Sequence, residues 1–143
     1  MRMRTLPLLM LPALLLPAMT LGACTQTQAE VERAQVREAG VQEKLAKELA
    51  GLVPGKPETC ISQFPQKQSS GYGATILYRA NSGLVYRSDT VGGCEGIARG
   101  DILVTRTPTG QLCRGDIAQT FDQTSRFPTG SCSFGDFVPY RKP

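Results

Sequence analysis

Sulfur is where this chain can do chemistry. Cysteines stand at positions 24, 60, 94, 113 and 132, and histidine is absent from all 143 residues. Without an imidazole, the chain holds no Ser-His-Asp or Cys-His pair and no histidine-ligated zinc. Cys24 ends the run Leu21-Gly22-Ala23-Cys24, which has the pattern of a lipobox. In that motif the thiol forms a thioether to diacylglycerol, and the small residues before it admit the backbone to a signal peptidase. The remaining four, Cys60, Cys94, Cys113 and Cys132, lie too far apart for Cys-x-x-Cys exchange or for the paired ligands of a Cys₄ zinc site. An even number of thiols in an oxidising compartment implies two disulfides. Three pairings are open, and our preference is Cys60–Cys132 with Cys94–Cys113, which ties the first strand to the last. No metal and no cofactor are expected.

Carboxylates are the second place to look. Gly100-Asp101-Ile102, Gly115-Asp116-Ile117 and Gly135-Asp136-Phe137 repeat one pattern, Gly-Asp before an apolar residue. Brought together, such acids bind calcium, and Asp116, Asp136 or Glu95 could serve as an acid–base pair on a glycoside. Kept apart, they are turns at strand entries, with Gly for backbone freedom and Asp bonding to nearby amides. In a meander, successive strand starts fall at opposite ends of the sheet, so the turn reading is the expectation and no catalytic residue is assigned. Arg114-Gly115-Asp116 spells the integrin tripeptide by chance. Gly92-Gly93-Cys94-Glu95-Gly96 lacks the lysine and following helix of a phosphate cradle.

Three segments must position these groups. Residues 1–23 carry Arg2 and Arg4 ahead of an apolar run interrupted by Pro7, Pro12 and Pro17, which reads as a secretory signal rather than a retained membrane helix. Residues 24–57 hold the lipidated cysteine, a charged helix and a Pro/Gly linker. Thr27 and Glu30 are spaced as a capping box, and Val31, Ala34, Val41, Leu45, Leu49 and Leu52 form a narrow apolar stripe. We read this helix as a tether that lifts the domain from the membrane, with a short coiled coil or docking helix as the other use.

Residues 58–143 are a small mainly β domain. Strand-like runs at 74–79, 84–87, 101–106, 111–113, 116–121, 131–134 and 137–138 are separated by turn chemistry, including Ala80-Asn81-Ser82-Gly83 and a bulge expected at Gly115. Together they predict an antiparallel meander or half-barrel. A core of that size is marginal alone, so two disulfides should staple it.

The order of Cys60-Ile61, Thr75-Ile76-Leu77-Tyr78, Gly93-Cys94, residues 111–116, Gly130-Ser131-Cys132 and residues 135–140 resembles a family of small proteobacterial lipoproteins built around a domain of unknown function. The resemblance implies a signal peptide, a lipid-modified cysteine and a compact disulfide-bearing domain, and it carries no catalytic residues.

The expected function is that of a lipid-anchored envelope protein with a structural or binding role in the periplasm, not an enzyme. Its expected contacts are the membrane, through the lipid, and a periplasmic protein partner. Thr25 after the cysteine suggests the outer membrane, by analogy with bacterial sorting. A net charge of +4, with no run of Lys or Arg, argues against nucleic acid. A second expectation is a hydrolase (lysozyme-type) inhibitor that presents residues 65–72 or 123–129 as its loop. A carboxylate-based hydrolase is the third.

Overall fold

The computed structural model describes residues 27–65 and 67–143. In chain order the elements are helix α1 (Gln28–Glu48), strands β1 (Val53–Pro54), β2 (Cys60–Ser62), β3 (Gln68–Tyr72), β4 (Thr75–Asn81) and β5 (Leu84–Gly92), a 3₁₀ turn (Glu95–Arg99), then β6 (Ile102–Thr105), β7 (Gln111–Cys113), β8 (Ile117–Phe121) and β9 (Pro128–Arg141). The hairpin between β4 and β5 forms where the turn residues predict it, with Asn81 Oδ1 accepting from the Gly83 amide at 2.8 Å.

The chain is mainly β, an antiparallel half-barrel holding two disulfides. Its strands hydrogen-bond in the order β3-β4-β5-β9-β8-β6, with β1 added to β9, while β2 and β7 pair as a separate ribbon. The final strand therefore runs through the centre of the sheet rather than closing its edge. Residues 131–134 and 137–138, expected as two strands, are parts of this one strand. Gly115 is not a bulge either. It sits in the turn between β7 and β8 with φ 87°, where the Asp116 carboxylate accepts from the Cys113 amide at 2.8 Å.

This topology overturns the preferred disulfide pairing. The bonds are Cys60–Cys113 and Cys94–Cys132. Cys60 and Cys113 are direct register partners within the ribbon, which places the first cysteine outside the large sheet. Cys132 lies opposite Gly92 at the end of β5, and Cys94 is only two residues further along. A link from Cys60 to Cys132 would have required the last strand to lie beside the first.

The four residues Thr75 to Tyr78 are all buried, although strict alternation would expose every second one. Both faces of β4 are covered. Ile76 and Tyr78 point into the half-barrel with Ile61, Leu112, Ala118, Phe134 and Phe137. Leu77 and Val85 face outward under Leu45, with Leu49, Leu52 and Tyr72 packed around them. The capping box starts α1 as expected, since Thr27 Oγ1 accepts from the Glu30 amide and Glu30 accepts from the Thr27 amide at 2.8 Å. The end of the helix, however, is not a free tether. Its last turns dock on the sheet, and Arg79 meets Glu48 at 2.9 Å. Leu45 is 2 % exposed, so Leu45→Ala should cost about 3 kcal/mol in denaturant unfolding. A loss of under about 0.5 kcal/mol would mean that the helix does not hold this position.

Candidate functional site

Residues of the β2–β7 ribbon, of the two edge strands β3 and β6 and of β4 line one cleft of about 170 Å³. Each wall follows from a local rule. Ile61 and Leu112 are the central, inward-facing residues of three-residue ribbon strands, and they are register partners. With Leu103 of β6 they make an apolar floor. Ser69 of β3 and Tyr78 of β4 are cross-strand partners and share the opposite wall. The loop after β2 brings Ser62, Gln63 and Lys67 to the rim. Gln63 Nε2 donates to Thr105 Oγ1 at 3.2 Å, fastening that loop to β6.

The electrostatics of the cleft are one-sided. No acidic residue lines it, and Lys67 has no carboxylate within ion-pairing distance among the described residues. Its Nζ donates to the Ser62 carbonyl, which leaves further donor capacity. Tyr78 is 8 % exposed, and its hydroxyl is fully buried without a hydrogen-bond partner among the described residues. Burial pushes this phenol well above its ordinary range, so it stays protonated and is a standing donor. A buried hydroxyl lacking a partner costs about 1–3 kcal/mol. Tyr78→Phe should therefore raise stability by about 1 kcal/mol, read as a rise of several degrees in Tm. An equal fall would show that the hydroxyl is already satisfied.

The acids singled out by the Gly-Asp repeat do not converge. Asp101 precedes β6 at the Phe121 end of β8, whereas Asp116 precedes the other end, about 17 Å away along five residues of strand. Asp101 Oδ2 accepts from Thr129 Oγ1 at 2.5 Å, and that oxygen shares a 2.9 Å bond with Thr120 Oγ1. Asp136 pairs with Arg114 at 3.4 Å, which also ties up the charges of the Arg114-Gly115-Asp116 tripeptide. Glu95 opens the 3₁₀ turn. Among the described residues no group of three His, Cys, Asp or Glu side chains is placed to hold a metal.

Of the two loops considered from sequence, residues 68–72 are edge strand β3, so the first loop shrinks to the segment around Phe64 and Lys67. The second is a braced loop. Asp122 Oδ1 accepts from the Ser125 amide at 2.7 Å, the Ser125 hydroxyl at 2.9 Å and the Thr124 amide at 3.0 Å. These bonds, led by the Ser125 amide, hold the carboxyl below the usual carboxylate range. The brace is thus complete at neutral pH and is lost only as pH falls through that lowered value.

The signal segment 1–23, with Leu21, Gly22 and Ala23, and the lipidation candidate Cys24 lie outside the described residues. Among the described residues no helix is long and apolar enough to cross a membrane. Sequence reading had flagged Lys67 and Ser69 only as loop residues and Tyr78 only as a strand residue. Ser69 and Tyr78 meet as cross-strand partners of the β3–β4 hairpin, whose first strand reads as a loop in the sequence, and only the docking of Ile61 and Leu112 against them depends on contacts that no local pattern encodes. Comparison with family models, curated proteins and solved structures finds no match to this chain.

Proposed function

We propose that the chain is a lipid-anchored binding protein of the cell envelope, held through Cys24 at the inner face of the outer membrane and presenting its half-barrel to a periplasmic partner. It would thus be a member of the small lipoprotein family it resembles, without an enzymatic role. The observation that carries this reading is the pair of interleaved disulfides, Cys60–Cys113 and Cys94–Cys132. All four thiols that follow the lipobox are oxidised, a state typical of exported proteins and rare in the cytosol. The lipobox supplies the address, since several acyl chains give stable anchoring at about 0.8 kcal/mol for each buried CH₂. A cleft of about 170 Å³ is small beside enzyme pockets of several hundred cubic ångströms, which favours recognition of one small group.

Palmitate labelling of the wild type beside Cys24→Ser tests the anchor, and we expect label on the wild type alone. Cross-linking in cells from positions around the cleft should capture a periplasmic protein from the anchored chain. Equal label on both chains, or recovery of a reduced protein in the cytosol, refutes the proposal.

A second reading, a hydrolase inhibitor, is favoured by the braced 122–127 loop. It carries Arg126 at φ 61° and ends on Phe127, which is 71 % exposed. An ordered loop with an exposed aromatic suits insertion into a catalytic cleft at low entropic cost. Full lysozyme activity across a panel of enzymes at micromolar concentrations of this protein removes that reading.

A further inference from the structure

We infer that the cleft between β3 and β6 binds a carboxylate group carried on a short apolar stem. This deepens, and rests on, the reading of the chain as a binding protein by naming the chemistry its site would take. Three independent features point to that class. The Tyr78 hydroxyl is a buried donor without a partner, on a side chain that is nine-tenths or more buried and forms part of the cleft wall. The Lys67 ammonium is at the same cleft with no carboxylate within reach among the described residues, and no acidic side chain lines the walls to repel an anion. The floor made by Ile61, Leu103 and Leu112 is apolar and suits a few methyl or methylene groups.

An anion entering this space accepts from the Lys67 ammonium, and from the Tyr78 phenol where the wall yields to expose the hydroxyl that is buried in the free protein. Charge-assisted bonds of this kind are stronger than neutral ones. The volume sets the size of the guest. A cavity of about 150 Å³ holds a benzene ring, so 170 Å³ suits a group such as butyrate or the last residue of a peptide. A phosphate or sulfate would satisfy the donors but leave the apolar floor against a hydrated oxyanion. Two sources share the favoured chemistry, free short-chain acids and the free C-terminus of a peptide.

The experiment is an NMR titration of the full chain with acetate, butyrate, Ala-Ala and the amide of Ala-Ala, at constant ionic strength against chloride and phosphate. We expect saturable shifts at Lys67, Ser69 and Thr105 with low-millimolar affinity for the carboxylates, and none with the amide. Lys67→Met and Tyr78→Phe should each weaken binding about tenfold, in line with hydrogen bonds to a charged group. Tyr78→Phe keeps the core filled, so its result stands even if Lys67→Met disturbs the loop. Stronger binding of Ala-Ala than of butyrate assigns the site to peptide termini, the reverse assigns it to free acids, and either supports the class. Flat titrations, equal shifts with chloride or phosphate, or unchanged binding by Tyr78→Phe overturn the inference. Flat titrations would leave acylation and partner capture untouched, and loss of the anchor would leave the titration untouched, so the two failures are distinguishable.

Discussion

Replacing Cys94 and Cys132 together by alanine should lower the stability of the domain by about 4 kcal/mol, the largest loss available from any pair of cysteines here. The cross-link closes a loop of 38 residues, and releasing a loop of that length returns roughly that much entropy to the unfolded chain. The Cys60–Cys113 bond spans 53 residues, so on chain entropy alone the two would fall within about 0.3 kcal/mol of each other. Burial breaks the tie. Cys94 and Cys132 are buried in the main core beside Ala118, Phe134 and Phe137, whereas Cys60 and Cys113 are half-buried in the ribbon. Losing the first pair removes packed sulfur as well as the constraint. Denaturant unfolding should therefore place the Cys94→Ala/Cys132→Ala protein below Cys60→Ala/Cys113→Ala, with a fall in Tm of at least about 15 °C. The reverse ranking would show that the ribbon, not the sheet, limits stability. The two bonds interleave along the chain, so their losses should not sum, because each shortens the loop that the other closes.

Much of this architecture could be read in advance, and the limits of that reading have physical causes. The hairpin at Asn81 and Gly83, the capping box at Thr27 and the strands at β6, β7 and β8 depend on residues close in sequence, and each formed where expected. Strand order depends on residues far apart. Nothing near Cys132 reveals that β9 lies between β5 and β8, so the cysteine pairing expected from chain order failed. The helix stripe was visible as Leu45, Leu49 and Leu52, but the surface that receives it is the outer face of β4 and β5. That face reads as part of an unbroken apolar run. The cleft was the least legible feature, since residues 68–72 read as a loop in the sequence and not as the strand that pairs with Tyr78, and Ile61 and Leu112 reach it only when the ribbon docks. The Gly-Asp repeat was legible as turn chemistry for Asp116, whose carboxylate accepts from a backbone amide. Its third copy, Gly135-Asp136, instead changes the direction of a strand.

That change underlies the second large effect, a loss of about 3–5 kcal/mol for Phe137→Ala. Residues three apart on a regular strand point to opposite faces, yet Phe134 and Phe137 are both buried in one core. The register explains it. Ser88 pairs with Phe137 and Thr90 with Phe134, so β9 advances three residues while β5 advances two. The extra residue is a bulge that turns both rings inward. Gly135 permits the close approach there, because a Cβ at that position would stand 2.5 Å from the Asp89 carbonyl oxygen. Phe137 is 0 % exposed, with ring centroids 5.8 Å from Phe134 and 6.2 Å from Tyr78. Its amide and carbonyl both bond to Glu58 at 2.8 Å, which fastens the segment before β2 to the sheet. Removing the ring leaves a cavity beneath Tyr78, so the effect should reach the cleft. Carboxylate titration of Phe137→Ala should show weaker binding even under conditions where the variant is fully folded, because Tyr78 loses the neighbour that fixes its ring. A Phe137→Leu protein, which fills most of the space, should recover part of both losses. If Phe137→Ala unfolds at the same denaturant concentration as the wild type, the inward turn of β9 at the bulge is wrong, and with it the packing that holds the Tyr78 ring in the cleft wall.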